Sequence, residues 1–290
     1  MSRLIISIII FIISSEAGYC GRAYIPINEN SKINIISPAQ KAIIAWNGKK
    51  EIIILSSDIY SADNTKLLSV APFPALPGKV NKAKVYVFLQ IQSLINKYGE
   101  ISQNADFQKF EKLIYPLSIK AAETDSYREF VYWVKSFFLK YKAGFDQSSI
   151  RDVMSVIKSY LKDGSNNYVF EVYDINKNIM STAPVLYVFD SSFLYYPLRI
   201  DNANTSKTDI NLFLITLSKP NISETETGIY CKLFKNRKPV KIMIKKKDLL
   251  MISQDIYDLF KDNKQNNVWI TYAGYSGEKR AFTRDFKIYQ

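Results

Sequence analysis

The sequence predicts an α+β fold: a mixed or mainly antiparallel sheet with a helical hairpin, from the middle of the chain, packed against it. Three observations carry that expectation. Apolar residues make up 47% and aromatic residues 14% of 290 positions, ample for a packed interior. Two strongly periodic helical segments follow one another between residues 125 and 162. Strand-like segments fall into blocks before and after them instead of alternating with helices one by one, which argues against a doubly wound fold.

The chain opens with Met1-Ser2-Arg3, an apolar run from Leu4 to Ile13 broken only by Ser7, and then Ser14-Ser15-Glu16-Ala17-Gly18. A charged start, a short apolar segment and small residues at Ser15 and Ala17 are the parts of a secretory signal, with cleavage expected after Ala17. The run is well short of the roughly 20 residues that span a bilayer, so an uncleaved anchor is the weaker reading of residues 1–17. Export is therefore expected, with residues 21–290 as one α+β domain. The 2 cysteines are Cys20 and Cys231. In an oxidising compartment they can pair, whereas Cys231 within Ile229-Tyr230-Cys231-Lys232-Leu233 also reads as a small core residue, the reading favoured here.

Beyond the leader, Ile-rich strands are expected over residues 40–46 and 51–57, joined at Asn47-Gly48, a favoured type I′ corner. Residues 67–73 follow as a buried strand closed by Pro72, Pro74 and Pro77. Asn81 is placed to cap a helix to about Tyr98, with Gly99 as terminator. A shorter helix is expected over residues 107–114. Near Asp125, Ser126 with Glu129 makes a capping box, and Phe130, Trp133, Val134, Phe137, Phe138 and Tyr141 recur at three and four. Ile150, Val153, Met154, Ile157, Tyr160 and Leu161 mark the partner helix over residues 148–162. Strands are then expected over residues 168–173, 185–189, 209–217, 229–234 and 240–244, a short helix at Ile256, Leu259 and Phe260, and closing strands over 269–273 and 286–289.

Several segments are similar, in order and spacing, to an exported family, domain of unknown function 2330. They are Lys41-Ala42-Ile43-Ile44-Ala45-Trp46-Asn47-Gly48 with Val70-Ala71-Pro72-Phe73-Pro74, Tyr127-Arg128-Glu129-Phe130-Val131-Tyr132-Trp133-Val134, Tyr160-Leu161-Lys162-Asp163-Gly164, and Leu194-Tyr195-Tyr196-Pro197-Leu198-Arg199-Ile200. The resemblance covers most of residues 35–220. It implies export or membrane attachment and supplies no activity or catalytic residue.

Lys and Arg number 39 against 27 Asp and Glu, a formal charge of +12. Such a balance draws a protein to anionic polymers or membrane surfaces, although a codon bias towards Ile, Lys and Asn produces it too. Nucleic acid is disfavoured, since no RNP-like strand, zinc knuckle or recognition-helix pattern accompanies the charge. With 0 histidines, Ser-His-Asp triads, Cys-His pairs and His-ligated metal sites are excluded. No cofactor or metal is expected. Three constellations remain as candidate sites. Alternation puts Lys232, Lys241 and Lys245 on the wet face of a strand pair turning near Asn236-Arg237, where they form an anion-binding face or a solvated one. Tyr195, Tyr196 and Arg199 form an aromatic and guanidinium patch, suited to stacking a sugar or to core packing. Glu171 with Asp174, or Asp58 with Asp63, would serve a carboxylate-dependent hydrolase only if both acids of a pair faced one cleft. Asn204-Thr205-Ser206 and Asn221-Ile222-Ser223 match the N-glycosylation pattern. The expected function is a non-enzymatic extracytoplasmic binding or structural component of the cell envelope, with an envelope-carbohydrate hydrolase as the alternative.

Overall fold

The computed structural model describes residues 21–27, 35–99, 112–145, 150–203, 207–220, 240–278, 282 and 284–289. In chain order the strands and helices begin with β1 (Ala23–Ile27), β2 (Ile35–Ile36), β3 (Ala39–Trp46), β4 (Lys50–Ser61), β5 (Thr65–Phe73), β6 (Lys79–Lys82), α1 (Val87–Gly99), β7 (Leu113–Ile114) and β8 (Ser118–Glu123). There follow α2 (Tyr127–Lys140), α3 (Arg151–Lys162), β9 (Asn167–Ile175), β10 (Asn178–Thr182), β11 (Val185–Asp190) and β12 (Leu194–Tyr196). A 3-10 turn (Arg199–Ala203) leads to β13 (Lys207–Thr216), β14 (Val240–Lys245), a second 3-10 turn (Lys246–Met251), α4 (Gln254–Phe260), β15 (Asn267–Glu278) and β16 (Phe286–Ile288).

Among these residues a 4-stranded sheet runs β1-β5-β9-β8, and a 10-stranded sheet has the path β14-β15-β13-β3-β4-β10-β7. All pairings of the small sheet are antiparallel. In the large sheet β13 with β3 and β10 with β7 are parallel, which makes it mixed but mainly antiparallel, as the α+β reading expects. β4 organises this sheet: its first half pairs with β11 and its second with β10, and the two meet at Ala183-Pro184, where proline removes a ladder donor.

The sheets stack face to face. Ala42, Ile44, Ile53, Leu55 and Leu212 of the large sheet meet Ala71, Phe73 and Val169 of the small one in a shared core. The opposite face of the small sheet, with Leu68, Val70, Phe170 and Val172, is covered by α2 and α3 through Phe130, Val134, Phe137, Val153 and Ile157. The far face of the large sheet, with Ile43, Ala45, Ile54 and Phe213, is covered by α1 and α4 through Phe88, Ile91, Ile256 and Phe260. Four layers result, α/β/β/α, and the central strands β3, β4, β5 and β9 are buried on both faces. This is why β3 and β4 are near-continuous apolar runs instead of alternating ones.

Local chemistry sets the corners. At the β3–β4 turn only Gly48 takes a positive φ, 92°, so the type I′ expectation is corrected. The Asn47 side chain closes the turn instead, accepting from Lys49 N at 3.1 Å and Lys50 N at 2.9 Å. The capping box of α2 forms: Glu129 N donates to Ser126 Oγ at 3.2 Å, and Glu129 Oε2 accepts from Asp125 N at 3.0 Å. Asn81 does not cap α1. It lies in β6, whose backbone is drawn into pairing with β11, and the helix begins only at Val87. Leu113 and Ile114, expected to end a helix, pair in parallel with β10. The strand expected over residues 229–234, the turn at Asn236-Arg237 and both glycosylation motifs lie outside the described residues; β14 pairs with β15.

Phe130 is fully buried, its ring meeting Tyr168 edge-on at 5.1 Å and Phe170 at 5.6 Å. Phe130→Ala is expected to cost about 3–5 kcal/mol in urea unfolding, whereas Leu139→Ala, at a residue 77% exposed on the same helix, should stay within about 0.5 kcal/mol.

Candidate functional site

A core closed on both faces constrains its polar groups, and the most demanding of them is Arg22, just before β1. Its guanidinium is wholly buried, as is Glu171 of β9, and Nη1 lies 3.2 Å from Glu171 Oε2. Arg22 also donates to Tyr173 OH at 3.2 Å and to Tyr187 OH at 2.6 Å. Both phenols in turn donate to Glu171, Tyr173 at 2.9 Å and Tyr187 through a short bond. Burial, foremost, and the Glu171 carboxylate beside them push these phenols well above their ordinary range, so they act as neutral donors. Since β1 and β9 belong to the small sheet and Tyr187 sits on β11 of the large one, the cluster ties the two sheets across their interface. Every oxygen of Glu171 is committed to it.

The carboxylate pairs considered for hydrolysis are not brought into one cleft. Asp174 faces away from Glu171 and is exposed, 3.5 Å from Lys66. Asp58 is buried and accepts from Ser181 Oγ at 2.7 Å, while Asp63 is exposed in the following turn.

Tyr195 and Tyr196 are core residues, not an outward platform, because β12 lies in the core the two sheets share, so that one ring reaches Pro72 O of the small sheet at 3.4 Å and the other reaches Gln40 of the large one. Tyr196 OH donates to Gln40 Oε1. The Arg199 guanidinium packs on a different ring, 4.0 Å from the centre of Tyr160, and pairs with Asp163 at the end of α3. Asp285 accepts from Tyr160 OH at 2.6 Å, Arg199 N at 2.9 Å and Tyr195 OH at 3.2 Å, latching the last strand onto α3 and the first 3-10 turn. Burial raises its pKa, opposed by these hydrogen bonds.

Lys241 and Lys245 share one face of β14, as alternation predicts, with Ile242 and Ile244 on the other. Lys245 is exposed; Lys241 is half-buried and donates to Pro220 O at 3.1 Å. Burial and the nearby Lys219 lower the Lys241 pKa. Lys232, Cys20 and Cys231 lie outside the described residues.

A further cationic feature, not singled out from the sequence, is a groove of about 680 Å³ along the outer side of α3. Arg151, Lys158 and Lys162 line it, with Ser155 and Ser159 between them and Met154 and Tyr127 below. Residues 151, 155, 158 and 162 recur at four, three and four, which stacks them in one stripe opposite the buried Val153, Ile157 and Tyr160. Lys158 Nζ rests 4.6 Å from the centre of the Tyr127 ring. Among the described residues none of the three cations takes part in an ion pair. The signal was available in the charge spacing of the helix; apolar periodicity drew attention to its other face.

No family model and no curated protein matches the sequence. Among solved structures, the crystal structure of baculovirus P35 is similar with a TM-score of 0.48 at 10% identity, over 89% of this chain and 97% of that one. The caspase-8/P35 complex gives a TM-score of 0.44 at 10% identity, over 88% and 96%. Likenesses of this size do not define a common fold and assign no role to any residue.

Two outcomes test the closed interior. Arg22→Met leaves the Glu171 charge buried without its partner and should cost about 3–5 kcal/mol in denaturant unfolding, with Arg22→Met/Glu171→Met recovering part of that loss. Glu51 is fully buried, accepts from Tyr195 N at 2.8 Å, and burial raises its pKa well above the ordinary 4.5. Its contribution to stability is therefore complete below that value and is lost as pH rises through the raised one. A pH series of unfolding midpoints should show a fall that Glu51→Gln reduces, the remainder following Asp285, whose pKa is also raised.

Proposed function

We propose that the protein is an exported, non-enzymatic binding protein whose partner is an anionic polymer or membrane surface of the cell envelope. The observation that supports this most is the division of charge. Among the described residues the interior holds Glu51, Asp58, Glu171 and Asp201 against only Arg22 and Lys41. Removing more acids than bases from the surface makes the exterior more basic than the formal charge of +12 already implies. The four buried acids are held by partners inside the protein, from Ser181 on Asp58 to Gly21 N on Asp201, and are not presented to a substrate. The leader at residues 1–17 and the resemblance to an exported family support the extracytoplasmic part. No helix among the described residues is long and apolar enough to cross a membrane; surface charge is the means of retention put forward, with a tether through the N-terminal apolar segment as the alternative.

Washing native cells with high salt before detergent, followed by an intact mass of the recovered protein, tests this reading. The protein is expected in the salt wash with a mass that begins near Gly18. Recovery from the cytosol with Met1 retained would contradict export, and release by detergent alone would contradict retention by charge.

A further inference from the structure

We infer that the groove along α3 is a binding site for a linear glycan chain bearing sulfate or phosphate groups, with Arg151, Lys158 and Lys162 as its anion contacts. The inference rests on the binding role proposed above and gives it a place and a ligand class.

The spacing selects an extended polyanion. Seven residues separate Arg151 from Lys158 and four separate Lys158 from Lys162, about 10 Å and 6 Å along the helix at 1.5 Å per residue. An isolated phosphate bridges at most the neighbouring Lys158 and Lys162; a chain with charges along some 16 Å reaches all three cations. Unlike Lys50, Lys66, Lys79 and Lys261, each within 4 Å of a carboxylate, the groove cations meet no acid among the described residues, so an anion need displace no carboxylate. Asp163, the acid next to Lys162, is taken by Arg199. Arg151 adds a planar fork suited to sulfate or phosphate oxygens, which the lysines do not offer.

The groove's shape and lining favour a sugar polymer over the other polyanions. At about 680 Å³ it is of ligand-pocket size and recessed, whereas a bilayer presents a broad plane. The Ser155 hydroxyl stands between Arg151 and Lys158, where it can exchange hydrogen bonds with sugar hydroxyls. Single-stranded nucleic acid is held by aromatic rings that stack on its bases, and the one ring here, Tyr127, already lies under Lys158. Tyr132 and Leu139, exposed on the neighbouring α2, make a lipid surface the chief competitor.

The test measures binding of the full chain to a heparin octasaccharide, to a single-stranded oligonucleotide and to vesicles of phosphatidylserine and phosphatidylcholine, across a salt series. Three proteins are compared: the parent, Arg151→Gln/Lys158→Gln/Lys162→Gln, and Lys241→Gln/Lys245→Gln. Circular dichroism melts establish that each is folded; if the triple variant is not, Lys158→Gln and Lys162→Gln are measured singly. The parent is expected to prefer the saccharide, the groove variant to bind it about tenfold or more weakly with a salt slope lower by about two to three, and the β14 variant to lose less than threefold. Saccharide binding unchanged in the groove variant would overturn the site while leaving the anionic reading in place. Tighter binding of vesicles or oligonucleotide than of saccharide would overturn the ligand class, and no binding to any of the three would overturn both.

Discussion

The Arg22–Glu171 pair is the interaction on which the arrangement of the two sheets most depends. A sheet covered on one side only can turn its polar residues to water. Here helices cover both outer faces and the sheets cover each other, so any polar side chain pointing between them must find its partners inside. Arg22 and Glu171 neutralise each other's charge, and Tyr173 and Tyr187 supply further hydrogen bonds, one phenol from each sheet. The geometry couples the segment that begins the described chain, through β9, to β11 on the opposite sheet. A buried ion pair of this kind contributes little net stability, because the cost of desolvating two charges offsets most of their attraction, yet removing one partner alone is costly.

Drawing four acids but only two bases into the interior shifts the balance of the surface further towards lysine and arginine, and α3 shows how one helix serves both regions. Val153, Ile157 and Tyr160 close the small sheet's outer face, while Arg151, Lys158 and Lys162 on the other side meet solvent. The same four-layer packing seats the buried face of the helix, which fixes the backbone positions from which Arg151, Lys158 and Lys162 extend.

Much of the fold was legible in the sequence, and the parts that were not share a physical cause. The hairpin of β3 and β4, the capped helix α2, its neighbour α3, and the strands β5, β9, β11, β13 and β14 follow from periodicity and turn chemistry that act within a few residues. β6 and β7 did not, because Asn81 and the Leu113-Ile114 pair take their structure from distant partners in β11 and β10. β1 was hidden too: Arg22 lies only a few residues beyond the leader, and nothing nearby in the sequence marks it as the partner of Glu171. The inward turn of Tyr195 and Tyr196 likewise meets distant partners, Pro72 of the small sheet and Gln40 of the large one. Of the candidate sites, the face with Lys241 and Lys245 was placed by alternation, whereas the groove cations were overlooked because a helix was judged by its apolar stripe alone.

The proposed division of labour sets a closed, structural interior against recognition on the basic exterior of α3. Lysine acetylation footprinting by mass spectrometry, with and without the sulfated octasaccharide, tests it most directly. Lys158 and Lys162 are expected to become protected by the ligand, while Lys245 and Lys66 are acetylated to the same extent in both. Protection centred on Lys245, with Lys158 and Lys162 unchanged, would contradict it.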